Sequence, residues 1–348
     1  MKTIFCSQKF CYRNAMLSRI KKFAKNIIGA YVLQPYFKLR MKQPMWRRIN
    51  KKGVTLFKKY STELSAAQQR IANELKQNGI AVSHVDDLFP ASTEASAGKP
   101  NEGVLQELQR TAAGLEAIAE VKTSKTFLKY LLGTNPLLDI NTILVRLALD
   151  SRALAIVNAY NGMFSKFYYM TLNRTLPVGS DAPAEQSQRW HRDPEDKKMA
   201  KMFIYLTDVD ENAGPFIYIP GSHSEGKWRN LFPQRPPVGY YPPDGEIEKI
   251  VPPAAIKKCE ARAGTVIFAD TAGLHKGGYA ISKERVMFTA GYCSNASVLE
   301  RQYRYPEDIE NVRATLTPAQ QYAITFPPHR FNSYILKRFR KFFKQNTY

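Results

Sequence analysis

The sequence predicts a mixed α+β fold, a helical N-terminal half packed on a β core, and three observations predict it. Apolar residues recur at helical spacing up to about residue 150. Short apolar or alternating runs replace them from about residue 154. Gly, Pro, Asn and Asp separate those runs, as turn residues do between short strands of a sandwich or barrel. With 348 residues, 44% of them hydrophobic, the chain can bury a sizeable core in one large domain or two.

Charge divides the chain into three. Residues 1–62 hold sixteen Lys and Arg and no acid, and residues 313–348 hold seven and again no acid. The total is +21, so the body between them, 63–312, is close to neutral. Residues 1–62 are read as a basic amphipathic N-terminal segment and 313–348 as a basic helical tail. In 14–33, Met16, Leu17, Ile20, Phe23, Ile27 and Ile28 fall at helical spacing with Arg19, Lys21, Lys22 and Lys25 between them. Tyr334, Ile335, Phe339, Phe342 and Phe343 repeat the pattern among Lys337, Arg338, Arg340, Lys341 and Lys344. Two readings fit such segments: helices in the interface of an anionic membrane, or helices docked on the body with a solvated basic face.

The elements of the body follow in order. Residues 61–78 read as a helix capped by Ser61 and ended by Gly79, with Ile80-Ala81-Val82 a short strand after it. Residues 91–103 read as a loop, and helical patterns follow at 104–120, 124–132 and about 136–150. The helical part is thus 63–153 and the β core 154–300. Its expected strands include Phe167–Leu172, Met202–Leu206, Phe216–Ile219, Thr265–Ala269 and Val286–Tyr292. The faces of Tyr168, Tyr169, Lys201, Phe203 and Tyr205 are left open by the pattern. The proline- and tyrosine-rich stretch 232–253 reads as either a lid or substrate wall, or a rigid surface loop.

No run of about 18 apolar residues predicts a spanning helix, and the N-terminus lacks a secretory pattern. Cys6, Cys11, Cys259 and Cys293 are scattered, with no CxxC pair. That favours a reducing, cytoplasmic setting, with peripheral membrane contact through the basic ends, and gives no zinc site.

One constellation carries chemistry. His191 and Asp193 form an H-x-D, whose side chains point the same way on extended backbone. His275 follows an apolar strand, Thr265–Ala269, which is read as leading straight into it. Two histidines and a carboxylate on one face leave coordination positions open, the arrangement used to activate dioxygen at iron(II). Arg285 begins the next strand; were that strand antiparallel to that of His275, it would lie beside the metal. A guanidinium there can hold the far carboxylate of a keto-diacid that chelates the iron. His223 in Pro220-Gly-Ser-His223 reads as part of a turn, and His84 and His329 as ordinary histidines.

In combination, Trp190-His191-Arg-Asp193, Tyr205-Leu-Thr-Asp-Val-Asp-Glu-Asn-Ala-Gly-Pro215, Ile219-Pro-Gly-Ser-His223, His275 and Arg285 resemble the phytanoyl-CoA dioxygenase family, over roughly residues 63–300. The resemblance implies a double-stranded β-helix (jelly-roll, cupin-like) core with N-terminal helices packed on it, and makes 63–312 an Fe(II)/2-oxoglutarate dioxygenase domain. It implies iron bound by His191, Asp193 and His275, 2-oxoglutarate anchored by Arg285, dioxygen as the oxidant and ascorbate as a stimulant. Gly277 and Met287 stand where relatives often carry hydroxyl residues. Asp193 is a carboxylate where halogenating relatives have a small residue, which disfavours halogenation.

The expected activity is hydroxylation of an unactivated C–H of a lipid, an acyl thioester or a small biosynthetic metabolite, releasing succinate and CO2. Two readings compete: a nucleic-acid-modifying dioxygenase, disfavoured because the basic ends carry no recognised nucleic-acid motif, and a non-catalytic cupin-like binder, disfavoured by the intact ligand set. The oligomeric state is not legible.

Overall fold

The structure, a computed structural model, describes residues 34–90, 103–118, 127–179, 183–235, 239–297 and 299–326. The amphipathic patterns at 14–33 and 334–344, the loop expected over most of 91–103, and His329 lie outside the described residues.

Three short helices open the described chain: α1 (Gln34–Met41), α2 (Gln43–Ile49) and α3 (Lys51–Tyr60). Next come α4 (Ala66–Asn78), β1 (Ile80–His84), α5 (Val85–Leu88), α6 (Val104–Ile118), β2 (Leu128–Tyr130), α7 (Ile143–Leu149) and α8 (Ser151–Asn161). The β-rich part holds β3 (Lys166–Thr175), β4 (Ala200–Tyr205), β5 (Phe216–Tyr218), α9 (Glu246–Ile250), β6 (Lys257–Cys259), β7 (Thr265–Asp270), β8 (His275–Gly277) and β9 (Arg285–Cys293). Helices α10 (Ile309–Thr315) and α11 (Pro318–Ile324) close it.

The strands form two antiparallel sheets. One has six strands in the order β1-β7-β4-β9-β3-β2; the other has three, β6-β5-β8. Strand periodicity gives the large sheet two different faces. Met202 and Ile204 of β4, Val266 and Phe268 of β7 and Phe288 and Ala290 of β9 pack with Leu75, Leu108, Leu147 and Val157 of the helices. Phe203 and Tyr205, one residue out of step, turn the other way and meet Phe216, Tyr218 and Cys259 of the small sheet. The helices therefore cover one face of the large sheet, and the small sheet faces the other.

Three sequence expectations need correction. Ser61 does not cap a helix; it terminates α3, with its N–H bonded to the Phe57 carbonyl. The cap is Ser65, four residues later, in a reciprocal capping box with Gln68. Residues 124–132 hold no described helix, because Leu128–Tyr130 pairs with Asn173–Thr175 as an edge strand. The helix expected from about 136 starts only at Ile143, capped by Thr142. Gly79 ends α4 as expected, at φ 76°. A Cβ there would lie 2.3 Å from the Tyr218 hydroxyl, so only glycine lets helix and small sheet approach.

The N-terminal helices are tied to the β-rich body. Trp46 Nε1 donates to Asp196 Oδ1 at 2.9 Å, and Asn50 Nδ2 to Ser294 Oγ at 3.0 Å. Among the described residues no helix is long and apolar enough to cross a membrane.

Candidate metal and cosubstrate site

The H-x-D segment is extended and lies along the small sheet. His191 and His275 exchange backbone hydrogen bonds, both at 3.0 Å, and Asp193 N–H donates to the Thr271 carbonyl at 2.8 Å. This pairing brings together side chains distant in sequence. One ligand atom from each of His191, Asp193 and His275 lies within 4.8 Å of the others. His275 Nε2 stands 4.0 Å from Asp193 Oδ1, and the two imidazole centroids are 4.2 Å apart.

Both rings are aimed by their second nitrogens. His191 Nδ1 contacts the Arg189 carbonyl at 2.8 Å, and His275 Nδ1 the Gly273 carbonyl at 3.0 Å. A carbonyl only accepts, so each Nδ1 carries the proton and each Nε2 offers a lone pair. Burial, then His191, pushes His275 down to about 3, so it is neutral at physiological pH, as a ligand must be. Burial alone would raise the Asp193 carboxyl, but the Lys201 ammonium beside it outweighs burial and holds it below the usual carboxylate range. The two carboxylate oxygens differ. Oδ2 accepts from Thr271 Oγ1 and pairs with Lys201 Nζ at 2.7 Å; Oδ1 faces His275.

Arg285 reaches the site by a different route from the one expected. Its strand does not pair with that of His275: β9 runs between β4 and β3 in the large sheet, while β8 belongs to the small one. Nor does β7 lead straight into His275, since residues 271–274 turn the chain from one sheet to the other. Arg285 therefore faces the metal ligands across a cavity of about 450 Å³ whose wall includes His191, Asp193, His275 and Arg285. The guanidinium is buried. Nη2 donates to Thr175 Oγ1 at 3.2 Å, Nη1 to the Gly214 carbonyl, and Tyr205 is its hydrogen-bonded neighbour. Nε has no partner, and no Asp or Glu is paired with Arg285 among the described residues. A buried cation without a counter-ion, at one end of a cavity, suits a carboxylate ligand. Two imidazole nitrogens and a carboxylate oxygen suit a ferrous ion. The residues present thus fit both iron and a keto-diacid.

The faces left open by the sequence are settled by register. Arg285 lies opposite Thr175, Met287 opposite Asn173 and Tyr205, Thr289 opposite Thr171 and Phe203, and Gly291 opposite Tyr169 and Lys201. Of these rows all but Tyr205 and Gly291 line the cavity, from Arg285 to Lys201. Gly291 is required because a Cβ would lie 2.0 Å from the Tyr169 ring.

Sequence reasoning missed Thr271, Thr175 and Glu195. Glu195 follows Asp193 by two, so the extended backbone that aligned His191 with Asp193 was a signal for it too. Burial, then Asp193, pushes its carboxyl up to about 8. Thr175 and Thr271 gave no signal, since cross-strand and turn pairing place them. His223 sits buried in the expected turn, its Nε2 3.0 Å from the Lys76 carbonyl. His84 contacts the Ala263 carbonyl and Asp86, away from the ligand cluster. The 232–253 stretch lies against the H-x-D segment: Arg192 donates to the Phe232 and Leu231 carbonyls, and the Tyr241 ring is 5.8 Å from His191.

Comparison with known proteins bears on this geometry. The phytanoyl-CoA dioxygenase (PhyH) family model matches residues 104–286, more than half of the chain. No curated protein matches the chain. Among solved structures, the epimerase SnoN with Fe3+, alpha ketoglutarate and nogalamycin RO is 18% identical, covering 68% of this chain and 87% of that one, with a TM-score of 0.47. EctD from S. alaskensis with 2-oxoglutarate and 5-hydroxyectoine is 19% identical over 70% and 82%, also with a TM-score of 0.47. HygX from Streptomyces hygroscopicus with nickel and 2-oxoglutarate is 16% identical over 67% and 88%, with a TM-score of 0.43. These likenesses are distant, and assignment rests on the family match, which spans His191, Asp193, His275 and Arg285. The chain belongs to the phytanoyl-CoA dioxygenase family.

Proposed function

We propose that His191, Asp193 and His275 hold the iron of this 2-oxoglutarate-dependent dioxygenase, that Arg285 anchors the cosubstrate, and that the enzyme hydroxylates an unactivated C–H of a small organic molecule. The convergence of three ligand atoms within 4.8 Å, both imidazoles pre-aimed, carries the reading. The two sheets facing each other across the cavity support a double-stranded β-helix, with 63–312 as the catalytic unit and α1–α3 docked on it.

When bound, iron supplies the oxidising chemistry, using dioxygen and converting 2-oxoglutarate to succinate and CO2. The protein orients and shields. Backbone carbonyls fix the histidine tautomers. Thr271 and Lys201 hold Asp193 Oδ2, leaving Oδ1 for the metal. Thr175 and Gly214 fix the Arg285 fork so that it meets the far carboxylate of 2-oxoglutarate. Phe203 and Phe216 wall the cavity with apolar surface and keep water from the reacting centre. A cavity of about 450 Å³ lies in the range of small-molecule sites, which favours a small metabolite over a long acyl chain.

Asp193→Ala tests the assignment. It should abolish succinate formation and lower metal affinity by at least about 100-fold, because outer-sphere losses alone reach about 10–100-fold. Far-ultraviolet circular dichroism should be unchanged. Undiminished iron content in the variant would contradict the ligand set.

A further inference from the structure

Three buried polar atoms on the cavity wall are left without a partner once iron and 2-oxoglutarate are accounted for: Asn173 Oδ1, in the row next to Arg285, and two atoms beside the His191–Asp193 segment. Glu195 is 6% exposed, and its Oε2 has no hydrogen-bond partner among the described residues. Gln188 is also 6% exposed; its Oε1 accepts from Glu185 N–H, which identifies the other atom as Nε2, and that donor is unpartnered. Both residues line the cavity, on either side of the His191–Asp193 segment. Glu195 stands within electrostatic reach of Lys201, which occupies the row farthest from Arg285. The Arg285 end is taken by the cosubstrate in the reading above, on which this inference rests, and the Glu195 end is free for the substrate.

A buried carboxyl oxygen without a hydrogen-bond partner is costly, and a fold keeps one where a ligand supplies the partner. Lys201 does not meet this demand: its ammonium pairs with Asp193 Oδ2 and makes no hydrogen bond to Glu195 Oε2. An acyl chain has no donor to offer.

We propose that Glu195 selects the substrate, accepting a hydrogen bond from an N–H or O–H of a small polar molecule, an amine or a polyol, while Gln188 donates to an acceptor on the same molecule. Phytanoyl-type acyl thioesters are disfavoured, because an alkyl chain against Glu195 would leave its Oε2 without a partner.

The test uses the full chain loaded anaerobically with iron(II) and 2-oxoglutarate, read by its visible charge-transfer band. Free amino acids, monosaccharides and octanoyl-coenzyme A are the probes. An amino acid or a sugar should perturb the band and stimulate succinate release, and the responding class tells amine from hydroxyl recognition. Glu195→Leu should weaken that response by about tenfold, the upper worth of an ordinary hydrogen bond. Glu195→Gln, which keeps an acceptor oxygen, should weaken it less. Glu195→Leu should also melt at or above the wild-type temperature, since a buried unpartnered polar oxygen is gone; a merely structural Glu195 would give a lower melting temperature instead. A response to octanoyl-coenzyme A alone, to no polar probe, or one undiminished in Glu195→Leu overturns the proposal. If no band forms in the wild type, the iron and 2-oxoglutarate reading fails. The melting-temperature shift of the metal-free protein with the same probes, kept by wild type and lost in Glu195→Leu, then still decides the Glu195 site.

Discussion

At the scale of single residues, the site works by making chemically similar atoms unequal. Each histidine has its Nδ1 committed to a carbonyl, which fixes the tautomer that a metal-binding Nε2 needs. Asp193 has one oxygen committed to Thr271 and Lys201 and one left for metal. Thr271→Val should therefore lower iron affinity by roughly tenfold without unfolding the protein, at the lower end of outer-sphere effects on metal sites; titration of metal-free protein with iron(II) or cobalt(II) measures it. Arg285 is a rigid fork held by Thr175 and Gly214, and lysine cannot reproduce two parallel hydrogen bonds. Arg285→Lys should raise the KM for 2-oxoglutarate by about 10–100-fold, the worth of a charge-assisted hydrogen bond, while iron content stays at the wild-type level. An unchanged KM would remove Arg285 from the cosubstrate site. His191, Asp193, His275 and Arg285 were all legible in the sequence, because chemistry restricts which side chains serve. Thr271 and Thr175 were not, because any hydroxyl that folding delivers to the same point would do.

At the scale of elements, α11 is joined to β3 by a buried lysine. Lys166 Nζ donates to the Tyr322 and Thr325 carbonyls, at 2.8 and 2.6 Å, where the helix ends. Burial pushes its ammonium down to about 7 from 10.5. The unfolded chain therefore keeps this proton at pH values where the folded chain has released it. Stability from this group is lowest below about pH 7 and rises as pH climbs toward about 10, where the unfolded lysine also titrates. The urea midpoint of wild type should rise between about pH 7 and about pH 10, and Lys166→Met should flatten that rise. Equal slopes in the two proteins would show that other groups dominate. The strands were legible because period-2 apolar runs between turn residues allow few other structures. Helix boundaries were less so. Ser61 and Ser65 are both plausible caps, and only the Gln68 side chain reaching back to Ser65 decides between them. The stretch 124–132 has helical spacing, yet the exposed edge of β3 captures Leu128–Tyr130 as a strand.

At the scale of the whole molecule, the division of charge persists on the surface. Helices α1–α3 contain no acid, and Lys38, Lys42, Arg47, Arg48, Lys58 and Lys59 on them are exposed. Trp46 and Asn50, on the other side, fix these helices to the body. Residues 34–60 are thus docked by one face, and a cationic face remains for a partner. An anionic membrane surface fits it by charge, each basic residue near such a surface adding about 1 kcal/mol. Vesicles containing phosphatidylserine should co-sediment the protein at low salt and release it at high salt, whereas neutral phosphatidylcholine vesicles should not bind it. Equal binding to both would refute an electrostatic tether.

The sequence by itself determined the mixed helix-and-sheet character of the fold, the iron and 2-oxoglutarate chemistry, and the four residues proposed to carry it. Apolar periodicity is a local consequence of burying one face, and iron accepts few ligand types, so both leave a written pattern. The tertiary structure alone decided which faces meet. It set Arg285 on one sheet and His275 on another, and aligned Thr175 and Lys201 at opposite ends of one cavity. It also buried Glu195 with one carboxyl oxygen, Oε2, left without a partner. Such facts depend on strand pairing between residues scores of positions apart. The chain does not encode that pairing locally, because the energy of each pair arises only when both strands are already in place.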